Sequence, residues 1–212
     1  MRTMIAVPCM DMVHTYFFAS MLSLRKPEGT EVAVASCSLV YDARHLLAMK
    51  ALNEGFDRVL WLDSDMNFQP DLMERLSADL EAGMDFVTAL YFTRKNPVKP
   101  CIYELCRPIP AGKGTTIPKA EAFREIPKEP FEIEGCGFGA VMMTTDVIRS
   151  AGPLPFFPTE GFGEDLTFCR KVRAAGGKIW CDPRIQADHV GMTLINESTW
   201  TKQLRGEADG GE

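Results

Sequence analysis

Histidine is scarce in this chain, with three in 212 residues, and no two cysteines form a CxxC pair. The seven cysteines (Cys9, Cys37, Cys101, Cys106, Cys136, Cys169 and Cys181) are scattered. That spacing argues against a structural zinc site, and an odd count argues against a disulfide framework; reduced, mostly buried thiols in a cytoplasmic protein are expected. No apolar run approaches the roughly 20 residues of a membrane span. The opening MRTMIAVPCMDMVH lacks a long apolar core before a small-residue cleavage site, so no signal peptide is expected either. Positive charge is short as well, the net charge being −6. Nonspecific contact with nucleic-acid backbones and docking through a polybasic patch both need a basic surface, so neither is expected. An anionic small molecule remains admissible where a metal or a local arginine supplies the positive charge.

What is present is the composition of a soluble globular protein, 46% hydrophobic and 25% charged, in a chain long enough for one well-cored domain. Thr3–Pro8, Glu31–Ser38, Arg58–Asp63 and Asp85–Tyr91 read as strands. Between them lie helical stretches at His14–Leu24, at Asp42–Gly55 with Asp42 as its cap, and after Pro70 up to Gly83. Strands alternating with amphipathic helices imply βαβ crossovers, hence an α/β fold with a mainly parallel sheet covered on both faces. After residue 92 the texture changes. RKNPVKPCIYELCRPIPAGKGTTIPKA reads as a flexible excursion or hairpin with one short strand-like piece at CIYEL. A strand, a glycine-rich bend, a second strand and a helix from about Thr145 follow. The last elements are a helix at Glu164–Ala175, the strand KIWCD, and a polar tail.

RVLWLDSDMNFQP runs four apolar residues into Asp63 and Asp65. Ligands of open α/β sheets bind at the carboxyl ends of strands, which is where this pair falls. Two unit charges about 4 Å apart repel by roughly 4 kcal/mol at an effective dielectric near 20. A hard divalent cation removes that repulsion, and such ions are held by one or two carboxylates plus substrate phosphates. The local pattern leaves a plain strand-to-helix turn equally open. His189, in QADHVG, reads as a residue just beyond the last strand: a ligand, or a loop histidine bonded to backbone. His14 and His45 carry the second reading. Glu164 and Asp165 open a helix, where acidic residues favour the dipole. The alternative there is a general base, and adjacent helix positions diverge by about 100°, so at most one of the two faces a substrate.

Taken together, IAVPC, DARHLLAMKAL, VLWLDSDMNFQPDL, GCGFGAVMMTTDVI, GFGEDLTFCRKVRAAGGKIWCDP and ADHVG resemble the GT-A-fold glycosyltransferases, particularly the family-2-like enzymes that use sugar nucleotides. The resemblance spans nearly the whole chain in the family's order, with a DxD motif, an ED helix and a terminal histidine. It implies a single GT-A domain over residues 1–201, with a nucleotide-sugar-binding half (1–92), an acceptor and catalytic half (93–201) and a flexible tail (202–212). It implies Mn²⁺ or Mg²⁺ held by Asp65 and His189, with Asp63 contacting the donor's ribose or, through water, the ion. Pro8 would line the nucleobase pocket, and Asp42 and Arg44 would touch the base or pyrophosphate. Gly135, Gly137 and Gly139 would let backbone approach the sugar or acceptor. Asp165 would be the base of an inverting enzyme, with Glu164 beside it. The implied donor is a nucleotide sugar, a UDP-sugar foremost, and the acceptor a hydroxyl. The Phe156–Gly163 loop would close over the donor to exclude water.

The chain also departs from the family. Membrane helices and a QxxRW-type element are missing, which argues against processive synthesis. Asp11 stands near where the family has an early asparagine. Two competing readings are a nucleotidyltransferase, which would show a glycine-rich basic loop after the first strand, and a sugar-nucleotide-binding domain without turnover.

Overall fold

A computed structural model describes residues 1–94, 97–112, 114–191 and 194–205. The elements in chain order are β1 (Thr3–Cys9), α1 (Thr15–Ser23), β2 (Glu31–Ser36), α2 (Val40–Asn53), β3 (Arg58–Leu62), β4 (Met66–Phe68), α3 (Leu72–Glu81) and β5 (Phe86–Leu90). Then come β6 (Ile102–Gly112), β7 (Thr115–Ala122), β8 (Phe131–Ile133), β9 (Gly135–Cys136), β10 (Ala140–Thr144), α4 (Thr145–Ser150), α5 (Glu164–Ala174), β11 (Ile179–Val190), β12 (Leu194–Ile195) and α6 (Glu197–Leu204).

The main sheet runs β12-β11-β5-β10-β3-β1-β2, with β4 and β8 also paired to β11. Strands β2, β1, β3, β5 and β11 share one direction, and β10 runs against both of its neighbours. The α/β reading with a mainly parallel sheet therefore holds. Strands β3 and β5 are buried at every position, as RVLWL and FVTAL require when helices cover both faces. On one face α2 brings Ala43, Leu47, Ala48 and Ala51 against the sheet, small residues that let the helix approach closely. On the other face α1 contributes Phe17, and α3 contributes Leu72, Met73, Leu76 and Leu80. A smaller sheet, β7-β6-β9, is formed by strands after residue 101.

Several boundaries differ from the sequence reading. Asp42 is not the cap of α2: the helix starts at Val40, Leu39 takes the N-cap position, and Asp42 sits in the first turn. The excursion after residue 92 is a hairpin of two long strands, of which CIYEL is only the start. The last strand does not stop at Asp182. A register break between Asp182 and Gln186, at Pro183, lets β11 continue to Val190, so His189 lies in a strand and not in a loop. Helix α6 occupies the beginning of the expected tail, and residues 206–212 lie outside the described residues. All seven cysteines are free, five of them buried. Among the described residues no helix is long and apolar enough to cross a membrane.

Aromatic rings join α5 and the segment before it to the sheet. Phe168 of α5 is fully buried; it stacks on Phe156 at 4.6 Å between centroids and meets Phe138 and Phe86 edge-on at 5.3 and 5.8 Å. Phe156 also packs on Trp61 of β3 at 5.1 Å. The loop expected to close over the donor is thus anchored in the core at its Phe156 end. Expected outcome: Phe168→Ala lowers unfolding free energy by about 3–5 kcal/mol, the usual loss for a buried phenylalanine, read from urea denaturation. A change under about 1 kcal/mol would show that the cluster collapses around the gap.

Candidate active site at the carboxyl ends of the strands

The strand ends of β1, β2 and β3, together with α2, α5 and β11, enclose a cleft of ≈ 400 Å³. Pro8, Arg44, Asp63, Asp65, Glu164 and His189 all line it, so residues spread over most of the sequence meet there. Asp42 does not line the cleft; it is exposed on the first turn of α2. Asp165 and Gly137 also lie outside its lining, a short step toward the β6–β7 hairpin.

The two aspartates divide their partners. Asp63 accepts from Arg44 Nη2 at 2.9 Å, while Asp65 Oδ2 lies 2.7 Å from Arg94 Nη1 and 3.5 Å from His189 Nε2. Arg44 is 3% exposed and also reaches Glu164 Oε1 through Nε at 3.3 Å, so one guanidinium ties the DxD turn to the start of α5. Its plane lies over the Phe138 ring at 5.1 Å, and Nη1 has no hydrogen-bond partner among the described residues. Burial pushes the Asp63 carboxyl up, more than Arg44 holds it down, with Asp65 and Glu164 adding to the rise. Burial also works against ionisation at Asp65, but the His189 hydrogen bond and the charges of His189 and Arg94 outweigh it and leave that carboxyl below its ordinary value.

Strand pairing brings His189 to Asp65. Past its register break, β11 pairs with β4 immediately after the DxD turn, His189 opposite Met66, and the Val190 N–H donates to the Asp65 carbonyl at 2.8 Å. His189 Nδ1 is 3.0 Å from the Phe92 carbonyl, which can only accept, so Nδ1 carries a hydrogen. In the neutral ring Nε2 is then a bare lone pair facing a carboxylate oxygen. Two acceptors at 3.5 Å need a positive charge to reconcile them: a second proton on the ring, a guanidinium, or a metal ion. Among the described residues no three His, Cys, Asp or Glu side chains form a metal cluster, and Asp65 with His189 is a pair of candidate donors. That pair suits Mn²⁺ or Mg²⁺, which keep positions for water or phosphate oxygens, and the backbone bond at Nδ1 supplies the usual orientation of a metal-binding imidazole.

Glu164 and Asp165 diverge as the helical spacing requires. Glu164 faces the cleft on Arg44, whereas Asp165 accepts from the Leu166 N–H at 2.7 Å. Burial, and next the charge of Glu164, push the Asp165 carboxyl up to about 6. The glycines beside it have a packing reason. A Cβ on Gly137 would lie 2.2 Å from Tyr91 Oη, and one on Gly139 would lie 2.8 Å from the same ring, whose hydroxyl accepts from the Gly139 N–H at 3.0 Å. The space those glycines leave is filled by the buried Tyr91. Sequence reasoning missed Tyr91, at the end of β5, and Arg94, inside the run taken as an excursion. The one available signal for Arg94 was a basic residue just beyond a strand's carboxyl end.

The fold is α/β and GT-A-like. Among solved structures, the chain matches the crystal structure of A197 from STIV with a TM-score of 0.68 and 18% identity, over 92% of this chain and 94% of that one. It also matches the crystal structure of GalNAc-T7 with UDP, GalNAc and Mn²⁺, with a TM-score of 0.61 and 12% identity over 96% of this chain. It spans 47% of that longer chain. No protein-family model and no curated protein sequence matches the chain. Expected outcome: Gly137→Ala destabilises the protein by about 1–3 kcal/mol through overpacking against Tyr91. Gly137→Ala combined with Tyr91→Phe should recover part of that loss in the same denaturation assay. Equal stability of Gly137→Ala and the parent would show that Tyr91 is free to withdraw.

Proposed function

We propose that the protein is a metal-dependent glycosyltransferase that moves one sugar from a nucleotide-sugar donor, a UDP-sugar foremost, to an acceptor hydroxyl with inversion. The observation that carries this reading is the approach of His189 Nε2 to Asp65 Oδ2 at 3.5 Å, an imidazole and a carboxylate side by side in a cleft at the strand ends. The likeness in fold to a protein solved with UDP, GalNAc and Mn²⁺ supports the same reading.

Asp65 and His189 would hold the cation. When bound, it would stabilise negative charge on the departing diphosphate as a Lewis acid. Asp63, steadied by Arg44, faces the same cleft and would receive the ribose or a metal-bound water. Pro8 would flank the base. Asp165 would take the proton of the acceptor hydroxyl as that oxygen bonds to the anomeric carbon and the anomeric carbon–phosphate oxygen bond breaks. A carboxyl titrating near 6 is a stronger base than an ordinary aspartate and is still ionised at neutral pH. Glu164, bound to Arg44, would hold the start of α5 in place. Asp42, exposed on α2, would contact the donor only at the rim.

A panel of nucleotide sugars in a thermal-shift assay tests the donor site: one nucleoside diphosphate family should stabilise the protein with Mn²⁺ and not with EDTA. No shift with any donor would favour a site without turnover. Asp65→Ala should lower turnover by about a hundred- to a thousandfold and weaken donor binding. Asp165→Asn should lower turnover by about a hundred- to ten-thousandfold with donor binding nearly intact; full activity in that variant would refute the base assignment. Because the base must be ionised, turnover should rise with pH through about 6 and then level. An acidic limb at the ordinary aspartate value near 4 would contradict the role of Asp165.

A further inference from the structure

Arg94 sits where the cation would bind. Its Nη1 is 2.7 Å from Asp65 Oδ2, the same oxygen that faces His189 Nε2, and 3.5 Å from the Val190 carbonyl. The side chain is 49% exposed against 26% for Asp65 and 16% for His189, so the two donors are built into the fold and the arginine lies over them from the solvent side. A guanidinium on a long, half-exposed stem can leave without disturbing the core, whereas the carboxylate and imidazole cannot follow it. The arm also lines the cleft that would hold a diphosphate, an anion geometrically suited to a guanidinium.

Resting on the cation-site reading above, we infer that Arg94 is a resident counter-ion that competes with the metal for Asp65 and gives way when a nucleoside diphosphate enters. The guanidinium neutralises Asp65 while the cleft is vacant and so weakens cation binding. A diphosphate offers Arg94 another partner and frees Oδ2. Cation and donor then bind together, and the protein binds free cation poorly. By linkage the cation strengthens diphosphate binding by the same factor as the diphosphate strengthens cation binding.

Mn²⁺ binding to the full chain, followed by electron paramagnetic resonance of the free ion, tests this without any turnover. Parent, Arg94→Ala and Arg94→Gln are titrated with Mn²⁺, each alone and with uridine diphosphate. In the absence of nucleotide both variants should bind Mn²⁺ about two- to fivefold more tightly than the parent, the order expected for removing a partly exposed ion pair. The enhancement given by uridine diphosphate should shrink in both. Asp65→Ala should abolish binding throughout. Equal Mn²⁺ affinity in parent and variants would overturn the role of Arg94 while leaving the cation site standing. No Mn²⁺ binding by the parent or either variant, with or without uridine diphosphate, would overturn the cation site and the inference with it. Variants whose diphosphate affinity collapses with unchanged Mn²⁺ affinity would make Arg94 a fixed phosphate ligand, also against the inference.

Discussion

The arrangement depends on one buried guanidinium. Taking Arg44 out of water costs several kcal/mol unless it is fully paired, and here it spans Asp63 of the DxD turn and Glu164 at the start of α5. These residues lie 101 positions apart, as 164 − 63, and belong to different halves of the chain. The same guanidinium lies against Phe138, which packs with Phe156, Phe168 and Trp61. Removing either carboxylate would strand a buried charge, so the geometry of the cleft and the docking of α5 are coupled through this residue. One Arg44 nitrogen, Nη1, is buried without a hydrogen-bond partner among the described residues.

Arg44 also offsets part of the repulsion between the two aspartates. Each meets a different arginine. Asp63 draws on the interior and Asp65 on the rim, through Arg94 and His189. Asp165 remains outside both pairs, close to Tyr91 and the glycine bend, where burial raises its affinity for a proton. One acidic cluster is thereby divided: His189 and Arg94 hold the Asp65 carboxyl below its ordinary value, whereas burial raises those of Asp63 and Asp165. Such a division is what a site needs if it is to hold a cation and also move a proton.

Much of the frame was legible because burial writes itself into local pattern. RVLWL and DFVTALY can only be strands covered on both faces, and the Leu72, Leu76 and Leu80 stripe can only be a helix lying on the sheet. The direction of β10 was not legible, since a short apolar run carries no signal for which way it pairs. Nor was the length of β11. Pro183 and the polar residues after Cys181 read as the end of a strand, yet the register break at Asp182 and Gln186 absorbs the proline and pairing resumes on β4. Glycines 137 and 139 were expected to let backbone approach a sugar or an acceptor, whereas the group packed against them is the ring of Tyr91, just past β5 and more than 40 positions earlier in the chain.

By itself the sequence determined the α/β class, the position of Asp63 and Asp65 at a strand end, and the divergence of Glu164 from Asp165. Each follows from short-range periodicity, and periodicity needs only neighbours. Tertiary structure decided which charge meets which: Arg44 with Asp63 and Glu164, Arg94 with Asp65, and His189 turned onto Asp65 by a strand that changes partner. Those pairings join distant segments, and a buried charge selects its partner by position in the folded core, which no local pattern encodes.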